Sequence, residues 1–247
     1  MQTYLLLALV LSVSSFVQGV MGFGFGMITM SLSLFLFPMQ EAVPLVTGFA
    51  ILLNAYLVYQ LRAHVLRAPL KALLLGGLCG VPLGVSLLQK VREGYLLITL
   101  AMVIGLYVTQ AFRQRATGVS DPGPWWAAFA GLWSGALGAS LSTAGPPLVI
   151  YASCKPWNKD EMRATLQSFF LICCILQMVL YVQSGLMNQH LAILDVALAP
   201  VLALGSMLGL RLSRGINQAV FRNLVLAALS VLGLVFLRRG LVDLQLF

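Results

Sequence analysis

Apolar segments of bilayer length recur along this chain of 247 residues, and they constrain its fold more than any other feature. A membrane-spanning helix needs about 20 predominantly apolar residues, whereas about a quarter of the residues in a soluble domain are charged. Here only 9% of the residues are charged. The sequence therefore predicts an all-α polytopic membrane protein, with six full-length spans at 42–60, 69–88, 94–112, 163–183, 190–210 and 219–237.

Two further apolar pieces, 4–37 and 124–155, are too short for two spans and a turn, and each is interrupted near its middle. Glycines and phenylalanines at 22–26 interrupt the first piece, and the stretch 142–147 interrupts the second. Pro146 and Pro147 lack backbone N–H groups and are expected to stop the incoming helix. Each piece is either one long broken helix or a hairpin that enters and leaves the membrane on the same side.

The distribution of basic residues favours the hairpins. If both pieces cross once, seven Lys and Arg residues lie on one side and eight on the other, which gives no orientation. With two hairpins, four lie on one side (Lys90, Arg92, Arg238 and Arg239). The other eleven are Arg62, Arg67, Lys71, Arg113, Arg115, Lys155, Lys159, Arg163, Arg211, Arg214 and Arg222. Because cytoplasmic loops are enriched in Lys and Arg, the second arrangement is predicted, with the eleven in the cytoplasm and both termini outside.

Hairpins also predict two inverted repeats, 1–115 and 122–247, each a broken or re-entrant hairpin followed by three transmembrane helices. Three crossings are odd, so the second half starts on the opposite side, as in many secondary transporters. Gly80-x-x-x-Gly84 in the first half resembles Gly205-x-x-x-Gly209 in the second, and we interpret these four glycines as helix-packing contacts. Gly19-x-x-Gly22 similarly resembles Gly135-x-x-Gly138.

The two interruptions are the candidate functional site. Unpaired peptide groups in hydrocarbon cost several kcal/mol each, so a break at membrane depth is tolerated where it is buried in protein or lines a polar cavity. Glycine lets the backbone approach a ligand, and helix N-termini suit an anion. The candidate substrate-binding residues are Gln18, Gly22, Gly24, Gly26, Asn54, Ser140, Ser142, Thr143, Gly145, Pro146 and Arg163.

Structural alternatives stand beside these assignments. The glycines can be packing contacts, and Gln18 and Asn54 can be hydrogen-bonding links between helices. Arg163, in the basic stretch after the second piece, either draws anions toward the site or pairs with Glu161 or Asp160. Asp195, about one turn into its span, either takes part in proton coupling or is an interfacial carboxylate that is hydrogen-bonded near the start of a helix.

No feature of the sequence predicts an enzyme, a cofactor or a metal site. The four cysteines lack metal-ligand spacing and are interpreted mainly as small packing residues. His64 and His190 fall on opposite sides of the predicted topology. The basic residues lie in short loops between apolar segments, where they set the orientation of the protein in the membrane. Their excess is therefore not interpreted as a sign of a nucleic-acid partner. The phosphate-loop pattern Gly-x-x-x-x-Gly-Lys-[Ser/Thr] is missing, which argues against ATP as the driving force.

Two stretches resemble a known family. "QGVMGFGFGMITMSLSLFLFP" and "GALGASLSTAGPPLVIYASCKPWNKDEMRATLQSFF" are similar to the two signatures of the sulfite exporter TauE/SafE family, also called the toluene sulfonate uptake permease family. The resemblance covers essentially the whole chain. Family members often carry more glycines at the second break, where this chain has Ala139-Ser140-Leu141-Ser142-Thr143 instead. That departure concerns the substrate more than the fold.

The resemblance implies a permease for small sulfur-containing anions such as sulfite, sulfoacetate or other sulfonates, or for carboxylates. We expect alternating access in a multi-pass protein of the bacterial plasma (inner) membrane, with the anion held between the hairpin tips. Facilitated diffusion, or coupling to a proton or sodium gradient, remains open. An anion channel of the same architecture and an assembly subunit are the alternatives, and exposed Gly-x-x-x-Gly faces leave room for a homodimer in the lipid bilayer.

Overall fold

The computed structural model of the protein describes residues 2–21, 24–113, 123–187, 189–212 and 218–245. Over these ranges the regular structure is helical, with a short 3-10 helix at Arg62–His64. The α-helices are α1 (Gln2–Met21), α2 (Phe25–Ser33), α3 (Met39–Leu61), α4 (Arg67–Lys90), α5 (Glu93–Arg113), α6 (Pro124–Leu141), α7 (Gly145–Ser153), α8 (Lys159–Gln183), α9 (Gln189–Leu212) and α10 (Gln218–Asp243).

Each of the six predicted spans lies within one helix, which confirms the all-α membrane architecture. By length and composition, four helical stretches among the described residues can cross a bilayer: Met39–His64, Arg67–Lys90, Lys159–Gln183 and Val225–Asp243. Shorter apolar helical stretches occur at Leu6–Val20, Glu93–Thr109 and Ile193–Gly209.

Both interrupted pieces consist of a long helix followed by a helix of nine residues, which is about 14 Å long. In the second piece, Ser142 has a left-handed backbone (φ 52°) and ends α6. The N–H of Ser142 bonds to the carbonyl of Gly138 (2.9 Å), and that of Thr143 bonds to the carbonyl of Leu137 (3.3 Å). Such bonds from a left-handed residue and its successor are common at helix C-termini, and they give hydrogen-bond donors to carbonyls that the ended helix leaves open.

The expectation that the two prolines stop α6 is wrong. Ser142 ends that helix, and Pro146 and Pro147 lie in the first turn of α7. Proline is well suited to a first turn because N–H groups there have no partner within the helix. The proline pair therefore begins a helix rather than ending one.

Each short helix folds back beside the long helix that precedes it. The Ser134 hydroxyl, about two turns before the end of α6, donates to the carbonyl of Ala144. In the first piece, the Phe25 N–H donates to Gln18 Oε1 over 3.0 Å. The Ser134 bond requires the chain to reverse direction between α6 and α7, and the Gln18 bond holds the start of α2 against the last turn of α1.

Glycines set the closest helix packing. A Cβ on Gly80 or Gly84 of α4 would overlap the carbonyl oxygens of Leu132 or Ala136 on α6. Because both residue numbers rise together, α4 and α6 run parallel. Gly205 and Gly209 of α9 pack in the same manner against Ser12–Ser15 and Phe16–Gly19 of α1, which also run parallel to α9. The packing interpretation of these four glycines is confirmed.

Two other helix pairs run antiparallel. Gly94, at the start of α5, lies against Asp243 at the end of α10. In the α3–α8 pair, the Leu66 N–H just after α3 donates to Thr165 Oγ1 near the start of α8 (3.1 Å). At the opposite end of that pair, Tyr181 lies within hydrogen-bonding reach of Thr47.

These directions place the ends of both hairpins. We call the end of the bundle where α3 ends and α4 begins the first face, and the opposite end the second face. Since α6 runs parallel to α4 and α8 antiparallel to α3, the α6–α7 pair starts and finishes toward the first face. By the same reasoning from α9, the α1–α2 pair starts and finishes toward the second face.

The main helix pairs among the described residues are symmetric when the first five helices are exchanged in order with the last five. The α4–α6 pair then becomes α9–α1, and α4–α8 becomes α9–α3. The α5–α10 and α3–α8 pairs map onto themselves. The core of the bundle lies around α3 and α8, where buried side chains such as Phe49 and Phe169 pack.

Cysteine labelling tests the second hairpin. Single cysteines on a background lacking the native ones are introduced as Ala63→Cys, Pro156→Cys, Gln40→Cys and Arg92→Cys, all at exposed positions. We expect a membrane-impermeant maleimide to label Ala63→Cys and Pro156→Cys from one side, and Gln40→Cys and Arg92→Cys from the other. Labelling of Pro156→Cys from the side of Arg92→Cys would show that 124–155 crosses the membrane once.

Candidate functional site

The N-terminus of α2 forms one wall of an internal cavity. Gly24 precedes this helix with φ +104°, a conformation that glycine adopts without the Cβ penalty of other residues. Its carbonyl accepts the first helical bond from the Ile28 N–H (3.1 Å). Because Gln18 Oε1 accepts the Phe25 N–H, the next two residues, Gly26 and Met27, have first-turn N–H groups without a carbonyl partner in the helix. Both residues line the cavity.

The N-terminus of α7 forms the opposite wall with different chemistry. Gly145 is the first residue of α7, and the two prolines after it have no N–H. Thr143, in the turn before α7, supplies another donor: its side chain is fully buried, and Oγ1 has no hydrogen-bond partner among the described residues. Thr143 also lines the cavity, so this wall offers one hydroxyl and one peptide N–H.

The two hairpin tips touch each other. A Cβ on Gly26 would overlap the carbonyl oxygen of Ser142. The Ser142 hydroxyl in turn lies 3.4 Å from the carbonyl of Val43 on α3. Absence of a side chain at 26 therefore allows the first turn of α2 to meet the turn between α6 and α7.

Side chains of α3 and α8 complete the cavity, which has a volume of about 60 Å³. On the scale where one water needs roughly 10–15 Å³, this holds a few non-hydrogen atoms. Polar groups come from Thr47 and Asn54 of α3 and from Gln177 of α8, whose amide nitrogen lies beside Gly138. The remaining lining from these helices is Val46, Ala50, Phe170, Cys173 and Cys174.

The described residues that line the cavity carry no formal charge. Its polar lining includes peptide N–H groups, hydroxyls and amides. Two helix N-termini point partial positive charge toward it, each equivalent to up to about half an elementary charge. Since α2 and α7 come from opposite ends of the bundle, their dipoles converge on the same small volume. Such an arrangement is chemically able to stabilise a small anion without a fixed cation.

The predicted site residues fall into three groups. Seven of them line this one cavity: Gln18, Gly24, Gly26, Asn54, Ser142, Thr143 and Gly145. Gly22, together with the neighbouring Phe23, lies outside the described residues. The remaining three, Ser140, Pro146 and Arg163, lie elsewhere.

Ser140 and Pro146 face away from the cavity. The Ser140 hydroxyl is buried and donates to the carbonyl of Ala136 one turn back (2.8 Å). Pro146 lines a separate apolar groove of about 1040 Å³ between α5, α6 and α7, where Phe129 and Trp133 are half exposed. Spacing alone could not separate these positions from Ser142 and Gly145, because the turn at Ser142 decides which side each residue faces.

Arg163 holds the end of α1. Its guanidinium Nη2 donates to the carbonyl of Val20 over 2.7 Å, a contact that satisfies a last-turn carbonyl. Neither Glu161 nor Asp160 is its hydrogen-bond partner there. Glu161 instead accepts the Asn158 N–H (2.9 Å) in a capping box that begins α8. The positive charge of Arg163 thus lies beside the first hairpin tip and outside the cavity lining.

Sequence reasoning did not select Thr47, Cys173, Cys174 or Gln177 as lining residues. The signal for Gln177 is present, since it is an amide within an apolar span, as Asn54 is in α3. Thr47 and the cysteines carry no such signal, because threonine and cysteine occur commonly as packing residues in apolar helices.

Comparison with known proteins identifies one family. The family model described as "Sulfite exporter TauE/SafE" matches residues 6–236. No curated protein matches the chain, and no solved structure matches it. The matched range begins within α1 and ends within α10, and it includes both interruptions.

Two glycine substitutions test the contact between the tips. Gly26→Ala places a methyl group on the Ser142 carbonyl, whereas Gly145→Ala meets nothing within 4 Å. We expect Gly26→Ala to destabilise the protein by about 1–3 kcal/mol, as overpacking does, and to lower the melting temperature in detergent by several degrees. Gly145→Ala should melt close to the wild type. Equal melting temperatures for all three proteins would contradict the contact.

Proposed function

The chain belongs to the sulfite exporter TauE/SafE family of membrane transporters, and from this premise we propose that it is a secondary transporter of small sulfur-containing anions. The anion is bound in the cavity between the two hairpin tips. Sulfite, sulfoacetate and other sulfonates are the proposed substrates, and small carboxylates share the same oxyanion chemistry.

The observation that carries this proposal is the unsatisfied hydroxyl of Thr143. A buried donor or acceptor without a partner costs about 1–3 kcal/mol, so such a group facing a cavity indicates a ligand or water. Here it faces the volume on which the N-termini of α2 and α7 converge. The free N–H groups of Gly26, Met27 and Gly145 are placed to donate to the same ligand.

The neutral walls support an anion that binds weakly enough to be released. A fixed Lys or Arg in a dry cavity would form a strong charge-assisted bond to a sulfonate or sulfite oxygen. Peptide dipoles and a hydroxyl supply several weaker contacts instead. The volume of about 60 Å³ suits an oxyanion head group, and a longer organic tail requires the tips to separate.

We propose that transport occurs by alternating access, which the interlocking of the helices supports. We propose that the halves are inverted repeats, an interpretation supported by the symmetric helix pairing. The glycine contacts join α4 to α6 and α9 to α1, so each hairpin moves with a helix from the other half. One unit then contains α1, α2 and α9, the other contains α4, α6 and α7, and the two units meet at Gly26 and Ser142.

Arg163 has a supporting role in this proposal. It lies on α8 near the first face, and its bond to Val20 fixes the end of α1. Its charge raises the local concentration of anions on that side, an effect that added salt screens.

A gradient of protons or sodium ions drives net transport.

Ligand binding is tested by thermal stability of the purified protein with sulfite, sulfoacetate, methanesulfonate, acetate and sodium chloride. A ligand that binds only the folded state raises the melting temperature with its concentration. We expect sulfite or a sulfonate to stabilise the protein more than chloride at equal ionic strength. Stabilisation by none of the oxyanions would contradict the proposal.

Thr143→Val removes the cavity hydroxyl while keeping the side-chain shape. Because a hydrogen bond to a charged group contributes about 1.5–3 kcal/mol, we expect the Kd for the stabilising anion to rise by about tenfold or more. Thr29→Val is the matched control, since Thr29 is also fully buried with an unpartnered Oγ1 but does not line the cavity. Equal Kd values for the two variants would place the anion elsewhere.

Counterflow distinguishes a carrier from a channel of the same architecture. In proteoliposomes preloaded with unlabelled sulfoacetate, a carrier accelerates uptake of labelled sulfoacetate and saturates. Thr143→Val should reduce this uptake, and Thr29→Val should not. Non-saturating flux with single-channel currents would identify a channel.

A further inference from the structure

Asp195 is a buried carboxylic acid that the anion site does not use. It lies in the second turn of α9, 6% exposed, and its Oδ1 has no hydrogen-bond partner among the described residues. At 1.5 Å per residue, it is about 10 Å along α9 from the end at the second face. Ionisable residues at membrane depth are rare and costly, and they commonly mark proton or ion pathways.

The carboxyl group occupies a space that Gly48 of α3 leaves open. A Cβ on Gly48 would coincide with the carboxylate oxygens of Asp195. The neighbouring residue, Thr47, lines the anion cavity. Asp195 therefore lies behind the α3 wall of that cavity, at a depth close to that of Thr47.

The packed elements bring no described charged side chain to Asp195. Its helix packs against α1 and α3, and the described side chains of α1 over 6–20 include no ionisable group. On α3, Glu41 is exposed about two turns before Gly48, and Tyr56 and Tyr59 lie two to three turns beyond it. Tyr181 approaches α3 at Thr47, but its hydroxyl donates to the carbonyl of Ala139 (2.7 Å).

An ionised carboxylate in this place would be buried without a counter-charge, which costs several kcal/mol. The neutral acid is therefore the form that fits the closed contact between α9 and α3. Sodium is a poorer fit, because the sodium sites of transporters use carbonyls from unwound helices. Both α3 and α9 are continuous helices where Gly48 and Asp195 meet.

We propose that Asp195 is the proton-carrying group of the transport cycle. Its carboxyl group is protonated while α9 packs against α3. When the unit of α1, α2 and α9 moves away from α3, water reaches the carboxyl group. The O–H bond then breaks, the proton passes to water and the electron pair stays on the carboxylate. This inference rests on the proposed anion transport, and it couples that transport to a proton gradient.

The test uses the full-length protein in proteoliposomes that contain the pH dye pyranine, with labelled sulfoacetate as the probe. Three quantities are measured: sulfoacetate counterflow at equal pH, sulfoacetate accumulation driven by a pH gradient, and the pyranine signal that accompanies it. For the wild type we expect counterflow, gradient-driven accumulation and proton movement that accompanies the anion.

Asp195→Asn mimics the protonated acid permanently. We expect its counterflow to stay within about twofold of the wild type, because the neutral form suits the packed state. Gradient-driven accumulation should fall by about tenfold or more, with loss of the pyranine signal. Glu41→Gln, at an exposed carboxylate of α3, is the matched control and should retain all three activities. A merely structural role for Asp195 would lower counterflow and accumulation together.

The outcomes separate this inference from the function on which it rests. Two wild-type results overturn the assignment of Asp195 alone. One is counterflow combined with accumulation that moves no protons, and the other is accumulation driven by a sodium gradient. Proton-coupled accumulation that persists in Asp195→Asn also overturns it. Absence of sulfoacetate counterflow in the wild type overturns both.

If Asp195→Asn does not insert into the membrane, carbodiimide labelling of the wild type tests whether Asp195 is protonated. This reagent reacts with protonated carboxyl groups in apolar surroundings, so we expect mass spectrometry to find Asp195 modified, and faster at lower pH. An unmodified Asp195 overturns the assignment.

Discussion

The requirement that every peptide group in hydrocarbon find a partner governs this structure. Ordinary spans meet it through their own helical bonds, and the two interrupted pieces meet it in other ways. Gln18 caps α2 with its side-chain oxygen, while a reversed turn at Ser142 closes α6. Among the buried side-chain groups left over, the Thr143 hydroxyl faces the small cavity between the hairpin tips. The proposed binding site is thus the place where the first-turn N–H groups of α2 and the Thr143 hydroxyl lack protein partners.

Glycine packing gives that site its position. The α4–α6 and α1–α9 pairs approach closely enough that a methyl group on Gly80 or Gly209 would overlap a backbone carbonyl. These contacts hold each long hairpin helix against a span from the opposite half of the chain. Dispersion contacts and close fit drive such packing where lipid is as apolar as the helix surface. The hairpin tips meet because their supporting helices are held in this way.

The spans and the two interruptions could be predicted from sequence, since hydropathy and breaker residues act locally. The details of the breaks could not. Pro146 and Pro147 begin α7 because α6 has already ended at Ser142, which adopts the left-handed conformation. Serine favours that conformation much less than glycine does, so the sequence does not mark this position as a helix end. Ser140 was selected together with Ser142, but it bonds to its own helix. Thr47 and Gln177 enter the cavity because α3 and α8 pack against the tips, a contact between residues far apart in the chain.

The sequence by itself determined that the chain crosses a membrane, where its spans lie, and which two places could not remain helical, because bilayer thickness and peptide desolvation act on each segment independently. Family membership was also readable from the order of two local motifs. Only the tertiary structure decided that both breaks meet at one volume, that Arg163 turns toward Val20, and that Asp195 lies against Gly48. Those facts depend on how helices from opposite halves are paired, and no local pattern of residues specifies that pairing.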